Sequence, residues 1–281
     1  MLPSASKNGL EILREALGLT THSLGPNTWA GSILISIDFE NTGNIRSGFA
    51  SNDNCQVGLA TLDTGDLQKD YSPKDLITTY NFITGSNKYQ KMASGKFLFG
   101  ESSVVQRMDL LENIQSIILQ NRRVIIIGHA VDNEILLLDC LGFRFPESIS
   151  VIIDTRLVAM EVFGFGSGVS SLRALLRHVR CPYGSLHSGG NDACFTLRAS
   201  ILLALSGQGC ENIDATASDY LRQISTGPIP CPICHDCEAI TTARRKERKP
   251  QKPRAKTEKQ QDRIRMERAA RRAEYERTRL L

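Results

Sequence analysis

An α/β fold, a sheet covered by helices, is what the sequence predicts, and three observations predict it. Two short strand signals open the body of the chain, at 33–37 and 57–62. Strand-like runs then alternate with helically spaced apolar residues, the order that builds a sheet flanked by helices. Hydrophobic residues make up 41% of the 281, enough for a packed core.

The elements follow in order. Residues 1–29 read as an N-terminal extension, polar and mixed, with a modest helical stretch at 10–17. A strand over 33–37 ends in Asp38, and a second strand covers 57–62. Residues 63–96 read as a long polar excursion, closed by the apolar run Phe97-Leu98-Phe99. A helix is expected over 104–119, its stripe formed by Val104, Val105, Met108, Leu111, Ile114 and Ile118. Val124-Ile125-Ile126-Ile127 is a buried strand stopped by Gly128, and 134–141 a helix stopped by Gly142. A strand at 151–153 precedes helices at 157–163, 170–179 and 191–205. Gly227-Pro228-Ile229-Pro230 reads as a linker. The expected organisation is therefore an extension over 1–29, a domain over 30–207, a linker with a cysteine cluster over 208–243, and a basic tail over 244–281, largely disordered or helical.

Charge is divided unevenly. Residues 244–281 carry 16 Lys/Arg against 6 Asp/Glu, a charge of +10, whereas residues 1–243 carry 18 against 24, a charge of −6. An acidic body with a basic arm suits a carboxylate metal site beside a polyanion-binding segment, and equally a localisation tail. No apolar run is long enough to span a bilayer. Residues 1–7 lack the apolar core of an export signal. An intracellular protein, in nucleus or cytoplasm and without a membrane partner, is the expectation. Most of the eight cysteines stand singly in apolar or helical stretches, which suits free thiols in a reducing compartment.

Three acidic clusters fall at strand ends. Asp38-Phe39-Glu40 follows the first strand, and the period of two turns both carboxylates to one side and Phe39 to the other. Carboxylate oxygens are what hard divalent cations require, although a solvated turn explains the segment equally well. Gly128-His129-Ala130-Val131-Asp132-Asn133-Glu134 joins a strand to a helix, where acids also serve as caps and dipole partners. His187-Ser188-Gly189-Gly190-Asn191-Asp192 places a histidine five residues before an aspartate that opens a helix. Such a histidine can act as a general base on water.

Taken together and in this order, these motifs resemble the DEDDh 3′–5′ exonucleases of the ribonuclease H-like superfamily. The segment from His187 through Asp192-Ala193 to Thr196 is similar to the fungal exonuclease-like group, as are Val57-Gly58-Leu59-Ala60-Thr61-Leu62-Asp63-Thr64 and Phe97-Leu98-Phe99-Gly100-Glu101-Ser102. The resemblance implies a ribonuclease H-like mixed central sheet over roughly 30–206. It implies an enzyme, a hydrolase of phosphodiester bonds in RNA or DNA, using two Mg²⁺ or Mn²⁺ ions held by Asp38, Glu40, Glu134 and Asp192. His187 would be the general base, and Phe39 and His129 would contact the terminal nucleotide of a single strand. The middle acid of the family is an aspartate where this chain has Glu134, one methylene longer, so Asp132 stands as the alternative ligand. A catalytically weak or inactive module that binds nucleic acid or a protein partner is the competing expectation.

Two features lie beyond that domain. Cys231, Cys234 and Cys237 with His235 have zinc-like spacing but no second pair, which leaves Zn²⁺ and free thiols both open. The basic run from Arg244 has the composition of a nuclear-localisation or nucleic-acid patch, or of a docking segment for a protein partner.

Overall fold

The computed structural model describes residues 3–20, 29–46, 48, 53–69, 71–118, 121–164, 168–207 and 214–230. The cysteine cluster with His235, and the basic tail, lie outside the described residues. Six strands form one sheet in the order β4-β3-β2-β1-β5-β6. They are β1 (Ile33–Glu40), β2 (Cys55–Asp63), β3 (Thr78–Thr84), β4 (Ser103–Val104), β5 (Val124–Gly128) and β6 (Ile149–Asp154). β1 is central, antiparallel to β2 and parallel to β5, so the sheet is mixed, and β5 runs parallel to β6. This mixed α/β architecture is the one expected.

Alternation along the strands divides two cores. Leu34, Ala60, Leu62, Ile125 and Ile127 face one layer of helices, built from α1 (Gly9–Ala16), α6 (Thr155–Phe163), α7 (Leu172–His178), α8 (Gly189–Ala204) and α9 (Ala215–Thr226). Ile35, Ile37, Phe39, Val57, Leu59, Val124 and Ile126 face the other, built from α2 (Gly43–Arg46), α4 (Arg107–Ile118) and α5 (Asp132–Cys140). Being covered on both faces is why β5 is apolar throughout rather than alternating.

The core reaches past the expected domain on both sides. α1 is an integral layer element, with Leu10, Ile12, Leu13 and Ala16 buried, rather than part of an appendage. α9 buries Leu221 and Ile224 in the same core, and the compact unit runs through Pro232.

Two local expectations are corrected. The polar excursion over 63–96 contains β3 and α3 (Asn87–Ser94). Threonines and a buried Asn81 hide the period of β3, and Ser86 caps α3 through Oγ, which accepts from Tyr89 N at 3.4 Å. The helix expected over 104–119 starts only at Arg107, because Ser103–Val104 pairs with β3. Its buried stripe is Leu110, Ile114 and Ile118, while Met108 is 85% exposed.

One contact brings helix and sheet unusually close. A Cβ on Gly58 of β2 would lie 1.9 Å from the carbonyl carbon and oxygen of Gly189, and 2.3 Å from Gly190 N. A Cβ on Gly190 would in turn lie 2.5 Å from Phe97 and 2.8 Å from Asn81. At Gly58 backbone meets backbone, so no side chain there can be accommodated by rotamer change. Gly58→Ala is expected to cost about 1–3 kcal/mol or more, seen as a melting temperature several degrees lower. Gly43→Ala, where a Cβ meets nothing within 4 Å, should stay within about 0.5 kcal/mol of the parent. Equal melting temperatures for the two variants would contradict the close approach.

Candidate active site

Asp38 and Glu40 end β1 on the face that carries Ser36, and Ser36 Oγ donates to the Ala193 carbonyl of α8. Asp38 pairs in register with Gly58 and Glu40 with Gln56. The space left by Gly58 is therefore beside Asp38, and the first turn of α8 fills it.

Polar side chains fix that first turn. The Asn191 amide donates to the carbonyls of Lys96 at 2.8 Å and Ser185 at 2.7 Å, and its oxygen accepts from Leu98 N at 2.9 Å. Asn81 Oδ1 accepts from Gly190 N at 3.1 Å, while its amide donates to Ser102 Oγ at 2.8 Å. Asn191 and Asn81 were not singled out in the sequence. The Gly-Gly-Asn run at a helix start was the available signal for Asn191, and nothing local marked Asn81.

Asp192 follows in the same turn. Its Oδ2 accepts from the backbone N–H of His187 at 2.9 Å, and its Oδ1 is buried without a partner. His187 has a left-handed φ of 64°, which swings its exposed ring back so that Nδ1 is 3.5 Å from Glu40 Oε1. Ligand atoms of Glu40, His187 and Asp192 lie within 4.8 Å of one another.

Glu134, expected as the middle acid, stands in the first turn of α5, just after the turn that leads from β5. Gly128 packs so tightly on Val131 that a Cβ would lie 2.6 Å from its Cγ2, and Ala130 takes a φ of 62°. Asp154 secures this turn, its Oδ1 accepting from Ala130 N at 3.0 Å and Arg156 N at 2.8 Å. It too was missed, although an aspartate between a strand and a helix is an ordinary capping signal. Glu134 emerges buried, 8% exposed, with Oε2 unpartnered. Asp132 is exposed. Of these two acids, only Glu134 acts on the Asp38 carboxyl.

Burial first, and then the charges of Asp192, Glu134 and Glu40, push the Asp38 carboxyl well above the usual carboxylate range. Burial raises Glu134 to about 7, and raises Asp192 to about 7, with Glu40 adding to the effect. Repelling carboxyls with orphaned buried oxygens are costly unless a cation compensates them. The donor set is all oxygen plus one imidazole, which fits a hard divalent ion such as Mg²⁺ or Mn²⁺.

The other two residues expected to contact a substrate are engaged within the fold. Phe39 is 6% exposed, its ring packed in the core opposite α8. His129 Nδ1 is 3.0 Å from Thr155 Oγ1, and burial lowers its pKa, so the ring is neutral at pH 7.

Comparison with known proteins gives two findings. Residues 33–203 match the family described as DNA polymerase III subunit epsilon-like, C-terminal domain, of the DEDDh class. An uncharacterized nucleolar protein of Schizosaccharomyces pombe is 31% identical over 113 residues, 37% of this chain and 44% of that protein. The matched segment thus spans less than half of that relative's length.

The raised carboxyls set an unusual pH dependence for the metal-free protein. Asp192 and Glu134 hold protons to about pH 7 when folded and release them near pH 4 when unfolded. Their contribution to stability is complete below the unfolded values and is lost as pH rises through 7. At about 1.4 kcal/mol per unit, unfolding in chelator should become easier by a few kcal/mol between pH 4 and 8. Denaturant titrations across that range test it, and Asp192→Asn with Glu134→Gln should flatten the slope. Stability that instead climbs with pH would contradict the burial that raises these two carboxyls.

Proposed function

The chain belongs to the DEDDh exonuclease family, and we propose that it is a divalent-metal-dependent 3′–5′ exonuclease acting on single-stranded RNA or DNA. The observation that carries this reading is the set of buried, unpartnered carboxylate oxygens on Asp38, Glu134 and Asp192, beside Glu40 and His187. Asp38, Glu40, Glu134 and Asp192 would hold two Mg²⁺ or Mn²⁺ ions. Bound there, such ions stabilise the charge on the attacking and leaving oxygens of a phosphodiester.

This chain's own groups do the rest. The Glu40 carboxylate orients the His187 ring through Nδ1, and the Asp192 carboxylate holds the His187 backbone. His187, exposed at the loop, takes the proton from the attacking water. Burial of Glu134 and its effect on Asp38 support it as the middle acid in preference to the exposed Asp132. The Phe39 ring is committed to packing, so the terminal nucleotide meets the backbone after it, where Asn41 takes a φ of 63°. His129 serves its own turn and reaches the strand only indirectly.

The nucleolar relative's name and the basic composition of residues 244–281 support a nuclear location. That tail would add strand affinity through counterion release, without sequence preference. No helix among the described residues is long and apolar enough to cross a membrane.

The test is hydrolysis of 5′-labelled single strands with Mg²⁺ or Mn²⁺, which should give a ladder shortened from the 3′ end. His187→Ala is expected to slow release by about 10²–10⁴-fold while Mn²⁺ binding, followed by calorimetry, persists. Asp38→Asn should lose both. Glu134→Gln should impair hydrolysis and Asp132→Ala leave it unchanged; the reverse pair would exchange their roles. A parent protein that binds strands and releases no nucleotide with either metal would replace the enzyme by a binding module.

A further inference from the structure

Arg198 is a buried cation with no counter-charge paired to it among the described residues. It stands on α8, six residues past Asp192, so about 9 Å further along the axis at 1.5 Å per residue and turned to another face. It is only 7% exposed. Nη1 donates to the Gly227 carbonyl at 2.9 Å, and the guanidinium lies 5.1 Å over the Phe99 ring. Nε is buried and makes no hydrogen bond. Among the described residues no carboxylate forms an ion pair with it.

The neighbouring thiols do not compensate it. Burial raises the Cys194 thiol and pushes Cys181 to about 12, so both stay neutral despite the arginine. A guanidinium withdrawn from water without an anion is strongly disfavoured.

The arginine lines a cavity of about 310 Å³ between the 3₁₀ turn Pro73–Asp75, Phe99, α8 and residues 227–230. Lys74 and Asp75 line it as well, both exposed. A cavity with one buried guanidinium, one exposed ammonium and a single carboxylate selects an anion. Planar guanidinium forks match tetrahedral oxyanions well.

We propose that this cavity is a phosphate-binding site, separate from the carboxylate cluster, with Arg198 as its buried donor and Lys74 at its mouth. The phosphate is either free, as inorganic phosphate or a mononucleotide, or part of a bound strand. Because the site is defined by Arg198 and not by the acids, it holds whether or not the chain hydrolyses anything.

The Nε–H resonance of Arg198 in the full-length protein, assigned by its loss in Arg198→Lys, reports on the cavity directly. Titration with inorganic phosphate in chelator should shift it saturably, whereas equal ionic strength of chloride should not. Lys74→Gln, a change at an exposed side chain that leaves the core intact, should weaken the phosphate response severalfold. Displacement of phosphate by an uncleaved oligonucleotide identifies the strand as the source, and independent binding of the two identifies a free phosphate. A shift that never saturates, that chloride reproduces, or that Lys74→Gln leaves unchanged overturns the proposal, even in a protein that proves to be an active nuclease.

Discussion

The helix α8 lies against the sheet at backbone distance, and most of what is notable about this molecule depends on that approach. Gly58, Gly189 and Gly190 together remove the side-chain layer that ordinarily separates a helix from a sheet. Packed layers are ordinarily held apart by the side chains between them, as in stacked sheets about 10 Å apart. Without that filling, the first turn of α8 reaches the end of β1, and Asp192 comes beside Asp38 and Glu40. The Ser36 hydroxyl, donating to the Ala193 carbonyl, and Asn81 Oδ1, accepting from Gly190 N, satisfy polar groups that such contact would otherwise bury alone.

What this closeness assembles is locally unfavourable. Three carboxyls with raised pKa converge, two of them at about 7. The rest of the fold supplies the compensation, through two apolar cores and a helix α8 buried along its whole length. Natural proteins break local rules of satisfaction where they act and make up the difference elsewhere. The buried Arg198, later on the same helix, is a second such place with the opposite sign of charge.

Much of this was legible in the sequence, and the reasons are particular. β1 and β5 announced themselves because β-branched runs bounded by Gly128 or an acidic end have few other uses. The pairing of Asp38 with Glu40 followed from strand period alone. β3 did not show, since Thr78, Thr79, Asn81 and Thr84 read as polar although Asn81 and Thr84 are buried and hydrogen-bonded. α1 was seen as a helix but not as core, because an amphipathic stripe does not say which surface it will meet. The choice between Asp132 and Glu134 also lay beyond the sequence. It depends on the left-handed Ala130, which rotates the first turn of α5 so that Asp132 faces solvent and Glu134 the interior.

The order in which the parts of this sheet are synthesised has its own consequence. β1 sits at the centre, yet it waits for β5 on one side, and its polar face waits for α8, which begins only at Gly189. Loop closure over such separations is paid before any contact repays it. A nascent chain halted before residue 189 lacks the helix that packs on β1 and β2, and with it the Asp192 carboxyl that meets Asp38 and Glu40. The carboxylate cluster is therefore complete only once α8 has been made, because Asp192 stands in its first turn.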